Sequence, residues 1–118
     1  MIGGPAVALS AAAAQTLAVA FHELATNAAR FGALSSPHGR VEVNWSCGTG
    51  DDSATLSIAW REIRGPRIVA TPANGYGVGL IRDLISRELN GSVDLDFADD
   101  GLRCRFDIPL GAVRQGTA

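Results

Sequence analysis

Glu23, Asn27 and Arg30 are the residues of this chain whose types and spacing could do chemistry together. They lie in His22-Glu-Leu-Ala-Thr-Asn-Ala-Ala-Arg-Phe-Gly32, late in a long run without Gly or Pro that reads as a helix. Separations of four and then three residues put a carboxylate, a carboxamide and a guanidinium on one helical stripe. Leu17, Ala20, Phe21, Leu24, Ala28 and Phe31 supply the opposite, apolar stripe. A carboxylate can take a proton or orient a nucleophile. An amide oxygen can ligate Mg²⁺, which prefers hard oxygen donors and is usually shared with substrate phosphates. Together they are what a Mg-nucleotide site needs from a helix. The same stripe would also serve as the solvated polar face of an ordinary amphipathic helix, so the rest of the chain must decide.

The elements that would position these residues follow from periodicity. Ala6 to Leu9 reads as a short edge strand. Ser10 is a suitable N-cap, and the helix runs from about Ala11 to Phe31 with Gly32 as its C′ residue. Arg40 to Cys47 alternates apolar and polar residues and reads as a strand. A Gly- and Asp-rich turn, Gly48 to Ser53, leads into a second alternating run, Ala54 to Glu62, so the two should form a hairpin. Ile63 to Tyr76 holds two prolines and two glycines and reads as a loop. Val78 to Leu89 is a second amphipathic helix, with Leu80, Ile81, Leu84 and Ile85 as core. Ser92 to Phe97 and Leu102 to Ile108 form a second hairpin around Asp99-Asp-Gly101. Hairpins with helices between them argue an α+β, two-layer sandwich: a mixed, mostly antiparallel sheet with helices on one face.

Three motifs now stand in order: Glu23-x-x-x-Asn27 on a helix, Trp60-Arg-Glu-Ile-Arg-Gly-Pro66 at a strand end, and Gly75-Tyr-Gly-Val-Gly-Leu-Ile81 at a helix start. This order resembles the catalytic and ATP-binding domain of histidine kinases in the GHKL ATPase superfamily. It is most similar to the HWE subfamily, marked by a His in the first box (His22) and a Trp-x-Glu in the second (Trp60 to Glu62). Ala33-Leu-Ser35, Gly39-Arg-Val41 and Pro109-Leu110 fit the same pattern, and the resemblance spans about residues 4 to 110. It implies the Bergerat fold, the architecture reached above from periodicity. The chain departs from the pattern at Arg64, where the family carries a glycine, and at Val78-Gly79, where the subfamily often carries a polar or basic pair.

The resemblance implies roles. Asn27 would hold Mg²⁺ bridging the ATP triphosphate. Glu23 would sit near the γ-phosphate and polarise the attacking imidazole or a water; an exposed helix ion pair with Arg30 is the structural alternative. Arg30 could touch phosphate, or simply solubilise the surface. Glu62 resembles the acidic residue that accepts a hydrogen bond from the adenine amino group, and Gly65 follows it in the second box. Gly75, Gly77 and Gly79 lead into a helix whose first N–H groups and dipole favour anions, and Tyr76 could fold over the site. A ligand-free flexible loop is the alternative for these glycines. His22 lies inside the nucleotide box, so it reads as a packing residue or as one that orients Glu23, and not as a phosphoacceptor. His38, between Pro37 and Gly39, reads as a loop residue.

Composition sets the bounds. A chain of 118 residues, 47% hydrophobic and 19% charged, suits one soluble domain with a single core, residues 1–118. A net charge of −2 gives no reason to expect nucleic acid or an anionic membrane as partner. Cys47 and Cys104 lack metal-site spacing and fall in strand-like runs, which points to two buried free thiols in a reducing cytoplasm. The expectation is therefore a cytoplasmic catalytic domain, a fragment of a longer sensor kinase. It would bind Mg-ATP and pass the γ-phosphate to a histidine on a separate dimerisation domain, for relay to a response regulator. A degenerate, non-ATP-binding docking or phosphotransfer adaptor is the alternative, favoured by Arg64. A stand-alone ATPase using Glu23 on water is a third reading.

Overall fold

The computed structural model describes residues 2–48, 54–66, 78–98 and 101–113. The two alternating runs expected to form a hairpin do pair. β1 (Ile2–Gly3) precedes them, and β2 (Arg40–Cys47) and β3 (Thr55–Ile63) run antiparallel, with Val43 opposite Trp60 and Trp45 opposite Ile58. A second antiparallel pair, β4 (Ser92–Ala98) and β5 (Gly101–Pro109), sets Leu95 opposite Cys104 and Val93 opposite Phe106. β5 joins β3, and β1 adds parallel to β2, giving one five-stranded sheet in the order β1-β2-β3-β5-β4.

Alternation decides which face is buried. Leu56, Ile58, Trp60 and Glu62 of β3 and Leu102, Cys104, Phe106 and Ile108 of β5 face the core. Ala59, Arg61, Arg103 and Arg105, between them, are exposed. On that open face Asp94 stands opposite Arg105 and Asp96 opposite Arg103, which lets opposite charges neighbour one another across the strands.

The helices cover the other face. α1 (Ala11–Arg30) starts at Ser10, whose backbone is extended and whose Oγ accepts a hydrogen bond from the Ala13 amide at 3.1 Å. It buries Ala13, Leu17, Ala20, Leu24 and Ala28. Its C-cap, Phe31, is followed by Gly32 and a 3₁₀ turn over Ala33–Ser35. α2 (Val78–Asp83) continues into a π-helical turn over Leu84–Glu88. Its wider turns keep Ile85 and Leu89 on the same buried side as Ile81. A short α3 (Leu110–Val113) closes the layer: Leu110 donates to Ala54 O at 2.9 Å, and Ser10 donates to Val113 O at 2.8 Å.

Several expectations need correction. The edge strand is Ile2–Gly3, paired with Val43 and Asn44, and not Ala6 to Leu9, where Leu9 makes only an isolated bridge. Pro5 separates the two stretches, and its carbonyl accepts the Trp45 indole N–H at 2.6 Å. Phe31 and Leu80 were expected in the core but are 36% and 45% exposed; Phe31 caps the end of α1 and Leu80 lies in the first turn of α2. Asn27 lies on the buried stripe at 3% exposure, so the polar and apolar stripes of α1 overlap. The loop residues 67–77 and both hairpin turns (49–53 and 99–100) lie outside the described residues. Both cysteines are free thiols; Cys104 is buried, but Cys47 is only half-buried.

Loss of solvation pushes the Cys104 thiol up to about 12 from its ordinary 9.0, against the opposing charge of Arg82 and with a further push from Asp94. An unfolded chain releases this proton at lower pH. The contribution to stability is therefore fully present below pH 9 and is lost as pH rises through that window toward 12. Native Cys104 should resist a maleimide reagent at a pH near 8 while Cys47 reacts first. Urea midpoints should also fall more steeply above pH 9 in the wild type than in Cys104→Ala.

Candidate functional site

The candidate residues meet where the C-terminal end of α1 approaches the end of β3. The Asn27 carbonyl accepts from the Phe31 amide at 2.8 Å and from the Gly32 amide at 3.2 Å, which turns the chain sharply after the helix. The next amide, Ala33 N–H, donates to Glu62 Oε1 at 2.9 Å. Glu62 Oε2 accepts from the Trp60 indole N–H at 3.1 Å. Glu62 is the second-last residue of β3, opposite Val41, and is 1% exposed. A buried carboxylate is very costly unless donors reach it. Two donors from the chain itself meet part of that demand. A carboxylate offers about four lone-pair sites, so each oxygen retains further accepting capacity.

Two glycines make room for this carboxylate. A Cβ on Gly32 would collide with Glu62 Oε1 and come within 3.1 Å of Ala28 Cα. Gly101, with φ +139, is buried, and a Cβ there would stand 2.6 Å from Glu62 Cβ. In the sequence Gly32 reads as a helix terminator and Gly101 as a turn residue, and neither is linked to Glu62 there. Only the approach of three separate chain segments shows what they do.

The other predicted residues are placed as follows. Glu23 is half-buried one turn before Asn27. It makes no ion pair with Arg30, which is exposed and lies over the Phe31 ring at 4.8 Å from the centroid. His22 is exposed, so it is not a core packing residue, and His38 is exposed in the connection to β2. Asn27 is engaged by an interaction of its own and supplies one hard oxygen donor of the kind Mg²⁺ takes. Among the described residues no three His, Cys, Asp or Glu side chains gather as a metal site. A cation here would depend on Asn27 together with ligand oxygens and water, which suits Mg²⁺ shared with phosphates. Gly65 is half-buried just beyond β3. Gly79 is exposed in the first turn of α2, and among the described residues nothing lies within 4 Å of where its Cβ would stand. Gly75, Tyr76 and Gly77 lie outside the described residues. A separate apolar cavity of about 540 Å³, lined by Leu17, Phe21, Ala25, Trp45 and Trp60 among others, holds none of the predicted site residues.

Arg64 is exposed with φ +58, a left-handed conformation that favours glycine, the residue expected there by the resemblance. Arg64→Gly should raise stability by about 1 kcal/mol. Gly101→Ala should lower it by about 2–4 kcal/mol through the positive φ and the clash with Glu62. Urea denaturation of both variants checks the pair of opposite signs.

No protein-family model matches the chain. Curated relatives do. Blue-light-activated histidine kinase 1 of Erythrobacter litoralis is 39% identical over 110 residues, covering 91% of this chain and 29% of that protein. The blue-light-activated histidine kinase of Brucella ovis is 33% identical over 101 residues, covering 86% of this chain and 21% of its own length. The chain thus spans less than a third of these relatives. Among solved structures, the histidine kinase domain of the Erythrobacter litoralis EL346 blue-light activated histidine kinase superposes with a TM-score of 0.68. It covers 93% of this chain and 50% of that one, at 18% identity. The nucleotide-free catalytic domain of the histidine kinase ThkA gives 0.58, with 80% and 66% covered, at 17% identity. The fold is that of these domains, with the sheet order and single helical layer described above. The family expected from Glu23-x-x-x-Asn27 and Trp60-x-Glu62 is the one these comparisons support: the chain is similar in sequence to a segment of histidine kinases and shares the fold of histidine kinase catalytic domains.

Proposed function

We propose that residues 1–118 form the single ATP-binding catalytic domain of a longer cytoplasmic sensor kinase of the HWE type. The domain binds Mg-ATP and delivers the γ-phosphoryl group to a histidine on a separate dimerisation domain, for relay to a response regulator. The observation that carries this reading is the convergence of the Asn27 turn and the buried Glu62 carboxylate at the C-terminal end of α1, bridged by the Ala33 amide. The shares of 29% and 21% of the relatives' length support a domain within a larger protein. Among the described residues no helix is long and apolar enough to cross a membrane.

Roles follow from chemistry. Asn27 offers its carboxamide oxygen to Mg²⁺, which when bound screens the charge of the triphosphate. Glu23, half-buried one turn away, orients the attacking imidazole and accepts its proton as phosphorus is attacked. Glu62 accepts from the adenine amino group with the capacity its two internal donors leave. Arg30, on the exposed side of the same helix end, contacts phosphate. Gly79, which no described residue crowds, lets backbone approach phosphate, and the same role is proposed for Gly75 and Gly77. The resemblance assigns Tyr76 and Gly65 to the same nucleotide pocket.

A second reading keeps a specific observation in its favour. Arg64 occupies a left-handed position where the family has glycine, and Glu62 is already partly satisfied within the chain. Both fit a module that retains the fold as a docking or phosphotransfer adaptor and has lost the nucleotide.

Calorimetric titration separates the two. The wild-type chain should bind ATP in a Mg²⁺-dependent way, and silence at millimolar Mg-ATP would overturn that reading and favour the adaptor. Asn27→Ala should remove the Mg²⁺ dependence. Glu23→Gln should bind within about threefold of wild type while lowering phosphotransfer in the full-length parent by 10²-fold or more, since a base acts in the transition state.

A further inference from the structure

Trp60 does more in this fold than fill the core. It lies two residues before Glu62 on β3, so both side chains project to the same face of the sheet. Its single donor, the indole N–H, is spent on Glu62 Oε2 at 3.1 Å, and the ring is 6% exposed. The ring is itself fixed: Phe21 stacks on it at 6.3 Å between centroids and 26° between planes, and Phe21 also meets Phe106 at 6.0 Å. Phe21 precedes His22 and Glu23 on α1. The two oxygens of Glu62 are thus held from two sides, one by the amide that follows the α1 turn and the other by an indole packed against α1.

We propose that Trp60 is a positioning residue: its indole N–H orients the Glu62 carboxylate for recognition of an exocyclic amine on the bound nucleotide base. The proposal rests on the nucleotide-binding reading above and adds a residue that touches no ligand. A carboxylate anchored at one oxygen can rotate about its last bond. Anchored at both, it presents its remaining lone pairs in one plane and direction, and orientation is what selectivity for an amine requires. A Trp-x-Glu spacing on a strand supplies this geometry, because only same-face neighbours can meet in this way. Tyrosine or phenylalanine would keep an aromatic ring there, but neither places an N–H at that point.

The test compares ATP with inosine triphosphate, which carries a carbonyl oxygen where adenine carries the amine. Both are titrated into the 118-residue chain with Mg²⁺. The wild type should prefer ATP by about tenfold or more. Trp60→Phe keeps an aromatic ring against Phe21 and deletes the N–H. It should cut the preference to about twofold while affinity for inosine triphosphate stays near wild type. Glu62→Gln should lose the preference as well, and the double variant should lose no more than Glu62→Gln alone, since Trp60 acts through Glu62. Thermal melts accompany each titration, because a purely structural role would lower the melting temperature and weaken both nucleotides equally. Retention of the full ATP preference by Trp60→Phe would overturn the positioning role and leave the nucleotide reading intact. A wild type that binds both nucleotides equally would overturn adenine recognition by Glu62, and the role of Trp60 with it. A wild type that binds neither would overturn the proposed function and this inference together.

Discussion

A buried carboxylate organises this domain. Glu62 at 1% exposure would be prohibitive as an unpartnered charge, since removal from water costs several kcal/mol per ion even after relaxation. The fold offsets that cost with two donors brought from different places, the amide of Ala33 and the indole of Trp60. Both must be in position at once. The requirement fixes the end of α1 against β3, sets the sharp turn after Asn27 and demands glycine at 32 and 101, where any side chain would strike the carboxylate or its stem. Burial also makes these hydrogen bonds strong, because water does not compete for them.

The same arrangement explains how α1 serves two purposes. Ala13, Leu17, Ala20, Leu24 and Ala28 pack on the sheet, and Asn27 falls among them at the edge of that stripe. Small residues dominate the stripe, so the helix lies close to the sheet and carries Asn27 inward with it. A polar group placed there must be satisfied, and Asn27 is engaged. Glu23, one turn earlier and rotated toward solvent, is half-buried. Distance from the sheet thus grades the two side chains: one held in the interior, the other reaching outward where a second reactant could approach. The π-helical turn after α2 has a comparable purpose, keeping Ile81, Ile85 and Leu89 in contact with the sheet along one line.

Among the described residues, two other than glycine hold a positive φ, Arg64 and Asn90. Arg64 holds φ +58 immediately after β3, directly beyond Ile63 and two residues past the anchored carboxylate. Asn90, also at positive φ, follows the end of the π-helical turn, where Asn is well tolerated and the next amide, Gly91 N–H, still reaches Ile85 O at 3.0 Å.

The sequence by itself determined the local elements and the family. Alternation marked β2 at Arg40 to Cys47 with the bounds observed and placed the other hairpin strands within one residue, because a sheet with one wet face must alternate. Ser10 announced the start of α1 because a helix end needs a side-chain acceptor. The motif order fixed the kind of domain. What the tertiary structure alone decided is how segments far apart in the chain share one carboxylate. The two-residue β1 is too short for any pattern to show, and its partner β2 lies some forty residues on. Phe31 and Leu80 obey helical periodicity yet stand in solvent, because periodicity says which way a side chain points and not whether anything is there to meet it. Gly32 reads from sequence as a helix terminator with a left-handed turn. It adopts φ −113 instead, and is glycine because Glu62, thirty residues away, occupies the space a side chain would need.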